Sequence, residues 1–226
     1  MNKILLSTSI LSANFSILGQ EIKNVLKFGA DMIHFDVMDN HYVPNLTFGP
    51  MVLKSIRNYN ILNPIDVHIM AKPVDNLIPL FAQAGADFIT IHPESTYHLN
   101  RTLNIIKDNG CKVGVAINPA LSIDFIDDII EKLDLVLIMS VDPGFSNQEF
   151  MTNTFKKINL IKKKVILSKR KIYISVDGGI KLNHINFLLK SGVNILVIGS
   201  YIFNNDPKFI IKKIKNLIFK FNKIKK

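Results

Sequence analysis

Apolar and polar positions along the chain form a repeating unit. In each unit, an amphipathic segment with apolar residues at helical spacing is followed by a glycine and then by a short apolar run. Gly29, Gly85 and Gly192 occupy this position, and each is predicted to cap a helix with a positive φ angle. The runs that follow have the length of buried parallel strands. The pattern therefore predicts strands and helices in alternation.

Eight apolar runs are predicted to be strands. They cover residues 4–10, 32–37, 65–70, 88–92, 112–117, 135–140, 172–176 and 195–198. The segments between them are predicted to be helices, for example 17–28, 76–84, 99–109 and 153–167. Eight βα units without a linker predict a single-domain α/β protein, a (β/α)8 TIM barrel over residues 1–226. An open doubly wound sheet is the alternative architecture.

Composition agrees with a folded protein outside the membrane. Hydrophobic residues make up 48% of the chain, yet no apolar run reaches the roughly 20 residues needed to cross a bilayer. The first residues also lack the pattern of a secretory signal, so a cytoplasmic protein is expected. The single cysteine, Cys111, excludes an intrachain disulfide and is predicted to be buried.

The net charge of +10 raises the alternative of a nucleic-acid-binding protein. Much of the excess lies in two stretches, 156–171 and 208–226, where lysines are interspersed with apolar residues. Ile210, Ile214, Leu217, Ile218 and Phe221 fall at helical spacing. This is typical of a barrel helix with a solvated lysine face, and it predicts no nucleic-acid partner.

In a TIM barrel, catalytic groups lie at the carboxyl ends of the strands. The second predicted strand places His34, Asp36 and Met38 on one face. His68 ends the third strand and Asp177 ends the seventh. Two imidazoles and two carboxylates suit a divalent transition metal, so we predict a metal site formed by His34, Asp36, His68 and Asp177.

Carboxylates beside a metal suggest removal of a proton from carbon next to a carbonyl group. A second carboxylate on the opposite face would return a proton there and invert that carbon, which is epimerisation. Met38, Met70 and Met139 also lie at strand ends, where they are expected to line a dry pocket. Ordinary core packing is the alternative for these methionines.

Glycines follow the last two strands, as Gly178-Gly179 and Gly199-Ser200. Barrels commonly hold a phosphate on backbone N–H groups at these two positions. A third loop, residues 141–145, follows strand six and is a candidate lid. The sequence therefore predicts a phosphorylated substrate.

Together these residues resemble the ribulose-phosphate 3-epimerase family. The most specific motifs are His34-Phe35-Asp36-Val37-Met38-Asp39, Asp66-Val67-His68-Ile69-Met70 and Val176-Asp177-Gly178-Gly179-Ile180. Further matches are Ser9-Ile10-Leu11-Ser12-Ala13, His41-Tyr42-Val43-Pro44-Asn45, His92-Pro93-Glu94, Asn118-Pro119-Ala120, Met139-Ser140-Val141, Pro143-Gly144-Phe145 and Gly199-Ser200. The resemblance covers nearly the whole chain.

The resemblance implies interconversion of D-ribulose 5-phosphate and D-xylulose 5-phosphate in the pentose phosphate pathway, through a metal-stabilised enediolate. It implies one divalent ion per subunit (Zn, Fe, Mn or Co) and a homo-oligomer. Asp36 would accept the proton and Asp177 donate it in one direction. The residues implied to contact substrate are Ser9, His68, Gly144, Phe145, Ser146, Asn147, Gly178, Gly179, Gly199 and Ser200.

The loop after strand six departs from the family pattern. Two glycines of that pattern are replaced by Ser146 and Asn147, whose side chains restrict positive φ and crowd a backbone expected to approach phosphate. Asp142 adds a negative charge in the same loop. We expect this loop to raise the Michaelis constant and to leave the chemistry intact.

Two enzyme alternatives remain open at this stage. A phosphorylated hexulose would undergo the same chemistry as a pentulose. Related barrels are lyases that decarboxylate sugar or nucleotide acids, and they typically carry a lysine near the ends of strands two and three. Here those ends carry His34, Asp36 and His68, whereas Lys72 lies farther along, before Pro73.

Overall fold

The computed structural model describes residues 3–224, which form one closed barrel of eight parallel strands. The strands are β1 Leu5–Ser9, β2 Met32–Met38, β3 Ile65–Met70, β4 Phe88–Ile91, β5 Lys112–Ile117, β6 Leu135–Met139, β7 Tyr173–Asp177 and β8 Ile195–Val197. Each strand pairs with the next in sequence, and β8 pairs with β1. The predicted TIM barrel is confirmed, and the open-sheet alternative is wrong.

Helices separate the strands and cover the outside of the barrel. They are α1 Leu18–Phe28, α2 Pro50–Asn58, α3 Ile78–Ala84, α4 Leu99–Asp108, α5 Ile126–Ile129, α6 Thr154–Leu167, α7 Leu182–Ser191, α8 Ser200–Phe203 and α9 Pro207–Ile224. Gly29, Gly85 and Gly192 cap α1, α3 and α7 with φ angles of 118°, 106° and 101°, as predicted. Helix α3 begins two residues later than predicted, with Pro79 in its first turn.

The connection between β5 and β6 has little helix, since α5 is a single turn. The loop before α5 is held by Lys157 of α6, whose Nζ donates hydrogen bonds to the carbonyl oxygens of Asn118, Pro119 and Leu121. These bonds satisfy backbone groups that have no helical partner.

Helix α9 has the predicted apolar stripe and lysine face. Ile210, Ile214 and Ile218 are buried, whereas Lys212 and Lys213 are exposed. The excess positive charge of this segment is therefore largely solvated. No helix within residues 3–224 has the length and hydropathy to span a membrane. Cys111 is buried and unpaired, as expected.

The register between β2 and β3 stacks the polar residues of the barrel interior in rows. His34 is paired with Asp66, Asp36 with His68 and Met38 with Met70. Because side chains alternate along a strand, all six point to the same side of the sheet. The polar rows lie below a methionine row at the carboxyl ends of the strands.

Candidate active site

Four side chains from three strands converge at the carboxyl end of the barrel. His34 and Asp36 come from β2, His68 from β3 and Asp177 from β7. One ligand atom of each lies within 4.8 Å of those of the other three. The structure thus brings together the four residues that the sequence predicts as metal ligands.

The spacing of these atoms fits a divalent cation. Four N and O ligands at about 2.0–2.2 Å from a tetrahedral ion lie about 3.3–3.6 Å apart. His34 Nε2 lies 3.3 Å from His68 Nδ1 and 3.3 Å from Asp36 Oδ1, which is itself 3.2 Å from His68 Nδ1. Asp177 Oδ2 is 3.8 Å from His34 Nε2. An N2O2 donor set of this size suits Zn, Fe, Mn or Co.

A buried carboxylate orients His34 from below. Asp66 Oδ2 lies 3.1 Å from His34 Nδ1, so that nitrogen carries the hydrogen and Nε2 is left to bind a metal. Asp66 also accepts a 2.7 Å hydrogen bond from Thr90 Oγ1. Gly114 makes room for this threonine, since a Cβ there would lie 2.2 Å from Thr90 Oγ1.

The surroundings of Asp36 favour the ionised form of its carboxyl group. Burial alone would raise the pKa of this carboxyl group, but the neighbouring His34 and His68 lower it below its ordinary value. Its Oδ2 accepts a 2.7 Å hydrogen bond from Ser9 Oγ. Burial likewise opposes the charge of His34, but Asp36 and Asp66 raise the pKa of that imidazole well above its ordinary value.

Asp177 has the opposite character. Burial raises the pKa of this carboxyl group to about 6, with Asp36 adding to the rise and both His34 and His68 opposing it. The cluster thus combines one carboxyl group whose pKa is lowered with one whose pKa is raised toward neutrality, a contrast that is typical of acid–base pairs. A divalent cation would lower the pKa of both groups.

A cleft opens above this cluster, and the other predicted substrate and pocket residues line it. These are Ser9, Met38, Met70, Met139, Gly144, Phe145, Ser146, Asn147, Gly178, Gly179, Gly199 and Ser200. Asp36 and Asp177 also line the cleft, whereas His34 and His68 are fully buried beneath it. Met38 and Met70 pack together with Val43, and Met139 lies in a separate apolar cluster.

At the predicted phosphate end of the cleft, two glycines lie in close contact with other segments of backbone. A Cβ on Gly199 would lie 2.9 Å from the carbonyl oxygen of Ser9. Gly179 has a φ of 62°, and a Cβ there would lie 2.6 Å from backbone atoms of Gln148 and Phe150. Both positions therefore require glycine, because other backbone fills the space that a side chain would take, and both line the cleft.

The loop after β6 is closed by Gln148, whose Nε2 donates to the carbonyl oxygens of Asp142 and Phe145. Asn147 has a φ of 64°, which is the left-handed conformation. Asparagine is among the few residues other than glycine that tolerate this conformation, so the backbone can adopt it at this position. Asp142 is exposed and is not among the described residues that line the cleft. Its charge therefore lies in a loop that lines the cleft, while its side chain faces solvent.

For two residues that are buried at this site, Asp66 and His92, the sequence alone predicted no role. Asp66 could have been found from its spacing, because it lies two residues before His68 on the same strand face. His92 follows β4, and its Nε2 is 2.8 Å from Nε2 of His68. Burial and then His68 hold the pKa of His92 well below its ordinary value.

Lys72 does not reach the cleft. Its Nζ lies 5.4 Å from the centre of the Tyr97 ring, and its backbone N–H donates to Asp39. Among the residues that the structure describes, none that lines the cleft is a lysine. The described residues that line the cleft therefore lack the lysine that the lyase alternative requires.

Comparison with known proteins agrees with this geometry. Residues 5–203 match the model of the ribulose-phosphate 3 epimerase family. A ribulose-phosphate 3-epimerase of Buchnera aphidicola subsp. Schizaphis graminum is 59% identical over 216 residues, 95% of each chain. One from Escherichia coli K12 is 49% identical over 221 residues, 97% of this chain and 98% of that protein.

Solved structures with low identity share the fold. KGPDC from Streptococcus mutans has a TM-score of 0.75 at 13% identity, covering 98% of this chain and 99% of that one. The 3-hexulose-6-phosphate synthase of Salmonella typhimurium has a TM-score of 0.67 at 16% identity, covering 96% and 100%. These two similarities concern the barrel alone.

Proposed function

Because this chain belongs to the ribulose-phosphate 3-epimerase family and is therefore an isomerase, we propose that it interconverts D-ribulose 5-phosphate and D-xylulose 5-phosphate. The reaction moves a proton at carbon 3 through an enediolate and serves the pentose phosphate pathway. The observation that carries the proposal is the pair of carboxylates, Asp36 and Asp177, within one cluster of four side chains that could hold a metal.

The two carboxylates divide the proton transfers between them. Asp36, ionised and held by Ser9, takes the proton from carbon 3 in one direction. Asp177, with its raised pKa, donates a proton to the opposite face of that carbon. A divalent cation held by His34, Asp36, His68 and Asp177 would polarise the ketone and stabilise the enediolate oxygen. In the reverse direction the two carboxyl groups exchange roles.

The rest of the cleft positions the substrate and excludes water. Met38, Met70 and Met139 present apolar side chains at the mouth of the barrel, where they would shield the enediolate from protonation by solvent. Gly179 and Gly199 expose backbone at the other end of the cleft, where the phosphate would bind.

The test is proton NMR of D-ribulose 5-phosphate in D2O, with protein loaded separately with Zn²⁺, Fe²⁺, Mn²⁺ or Co²⁺. We expect loss of the carbon-3 proton signal and the appearance of D-xylulose 5-phosphate with at least one ion. A strong chelator should abolish both changes, and metal addition should restore them. Absence of exchange with every ion would contradict the proposal.

The same assay separates the hexulose alternative. A phosphorylated hexulose such as allulose 6-phosphate has identical chemistry at carbon 3 and differs only in chain length. We expect kcat/KM to be higher for the pentulose phosphate. A preference for the hexulose phosphate would retain the mechanism and reassign the substrate.

The loop after β6 gives a second prediction. Removing both side chains in Ser146→Gly/Asn147→Gly opens the backbone to the phosphate, so we expect a lower KM, by about two- to tenfold, which corresponds to one hydrogen bond of about 0.5–1.5 kcal/mol. The value of kcat should not change, because neither residue contacts the proton-transfer groups. Steady-state kinetics of the double variant measures both constants, and an unchanged KM would contradict the prediction.

Three further expectations accompany this function. We propose that the protein works in the cytoplasm, that it assembles as a homo-oligomer with one divalent ion in each subunit, and that its lysine-rich surface binds no nucleic acid. The lysines of α9 alternate with buried apolar side chains, which accounts for them as the solvated face of a barrel helix, and nucleic-acid binding that weakens steeply with salt would contradict the last point.

A further inference from the structure

His92 lies directly behind the metal ligand His68. It is fully buried, its Nε2 is 2.8 Å from Nε2 of His68, and the two ring centres are 5.0 Å apart. The ring of Tyr42 packs against it at 5.1 Å. We propose that His92 is a positioning residue that fixes His68 as a ligand through Nδ1. This inference rests on the metal site of the proposed function.

The short distance between the two rings dictates where their hydrogens lie. Two ring nitrogens 2.8 Å apart need one hydrogen and one lone pair between them. When His68 Nε2 carries the hydrogen and His92 Nε2 accepts it, Nδ1 of His68 has its lone pair directed at the ligand cluster. When the hydrogen lies on His92, Nδ1 of His68 is protonated and donates to Asp36, 3.2 Å away. Only the first arrangement binds a metal.

The pair of His68 and His92 can pass from one arrangement to the other without gaining or losing a proton. The pair holds two hydrogens in either arrangement, so His68 becomes a metal ligand while His92 takes the Nδ1–H form. In the metal-binding arrangement, the hydrogen that has no partner among residues 3–224 lies on Nδ1 of His92, away from the ligand cluster. Without His92 it would lie on Nε2 of His68 itself, and no hydrogen bond would hold the His68 ring in the orientation that directs Nδ1 at the cluster.

The environment of His92 argues against a purely structural role. Its Nδ1 is buried and has no hydrogen-bond partner among residues 3–224. A buried polar atom without a partner destabilises the fold, so an apolar ring would serve packing better at this position. Within residues 3–224, the hydrogen bond of the His92 side chain is the one with His68.

The choice of a neutral group behind His68 also limits the charge of the site. His34 is backed by the carboxylate of Asp66, and Asp36 and Asp177 are ligands. Three carboxylates and one divalent cation leave one net negative charge. A fourth carboxylate in place of His92 would add another, which would oppose the approach of a phosphorylated substrate. An imidazole orients His68 without adding negative charge to the site.

The proposal is tested by Co²⁺ binding to wild type and to His92→Phe and His92→Gln. The Phe variant keeps a ring and removes the acceptor, whereas the Gln variant keeps an amide oxygen that can accept the hydrogen. Affinity is measured by competition with a chelator, and coordination by the Co²⁺ absorption spectrum. Chelator-treated samples are also unfolded thermally, and His98→Phe provides the same substitution at an exposed histidine.

We expect His92→Phe to bind Co²⁺ about 10- to 100-fold more weakly with an altered spectrum. His92→Gln should stay within about threefold of wild type, His98→Phe should match wild type, and the metal-free unfolding temperatures should be similar. At saturating Co²⁺, KM should be unchanged in the Phe variant. If the Phe variant does not fold, His92→Leu removes both nitrogens without a larger ring.

Two outcomes would overturn the inference, and they differ from each other. Wild-type affinity and spectrum in the Phe variant, or equal losses in the Phe and Gln variants, would show that His92 does not act as an acceptor. Failure of the wild type itself to bind Co²⁺, Zn²⁺, Fe²⁺ or Mn²⁺ would remove the metal site of the proposed function, and the role of His92 with it.

Discussion

Asp177→Asn is expected to lower the rate of epimerisation by about 10³-fold or more while one of the two substrates still exchanges its carbon-3 hydrogen with solvent. The reason is that Asp36 and Asp177 would act on opposite faces of that carbon. Loss of one carboxylate blocks proton transfer on one face only. The substrate whose proton faces Asp36 would still lose it and regain it there, with no inversion.

Asp36→Asn should give the mirrored result, with exchange surviving in the other substrate. Each variant is incubated in D2O with D-ribulose 5-phosphate and, separately, with D-xylulose 5-phosphate, and proton NMR follows both exchange and inversion. Asparagine keeps an oxygen ligand, so both variants are studied at saturating metal after their metal content has been measured. Exchange in both substrates, or in neither, with metal bound would contradict a two-carboxylate mechanism.

Strand positions could be predicted because the barrel buries both faces of its strands. Each strand therefore appears as a continuous apolar run, and the glycine caps before Asp31, Asp87 and Asn194 mark where the helices end. The β5–β6 connection was harder to predict. Its loop is held by Lys157 from α6, a contact between distant residues that leaves no local pattern.

The convergence of His34, Asp36, His68 and Asp177 could be predicted because period-two spacing and the TIM-barrel rule both point to the strand ends. The support beneath it could not, because that support depends on strand register. Asp66 meets His34 only when β3 pairs with β2 in this register, and Thr90 reaches Asp66 only because Gly114 leaves space on the next strand. Likewise, the contact between His92 and His68 becomes apparent only when β3 and β4 are aligned.

The charge of Asp66 provides the second large prediction. In Asp66→Asn, the amide oxygen can still accept from His34 Nδ1–H, while the amide nitrogen donates to Thr90 Oγ1 in place of accepting from it, so both contacts can form and the charge is lost. We expect metal affinity to fall about 10- to 100-fold, because a carboxylate partner raises the basicity of the ligating imidazole. Chelator competition measures the change, and Asp124→Asn, an exposed substitution outside the site, should have no effect.

Asp66→Leu separates charge from hydrogen bonding at the same position. Leucine leaves His34 Nδ1 and Thr90 Oγ1 buried without their acceptor, so we expect a loss of about 3–5 kcal/mol in the free energy of unfolding in addition to the loss of metal affinity. Urea unfolding in the presence of chelator measures the loss in the free energy of unfolding independently of the loss of metal affinity. If the Asn variant bound metal as wild type does, the orientation of His34 would not depend on a charged partner, and the hydrogen bond alone would account for the role of Asp66.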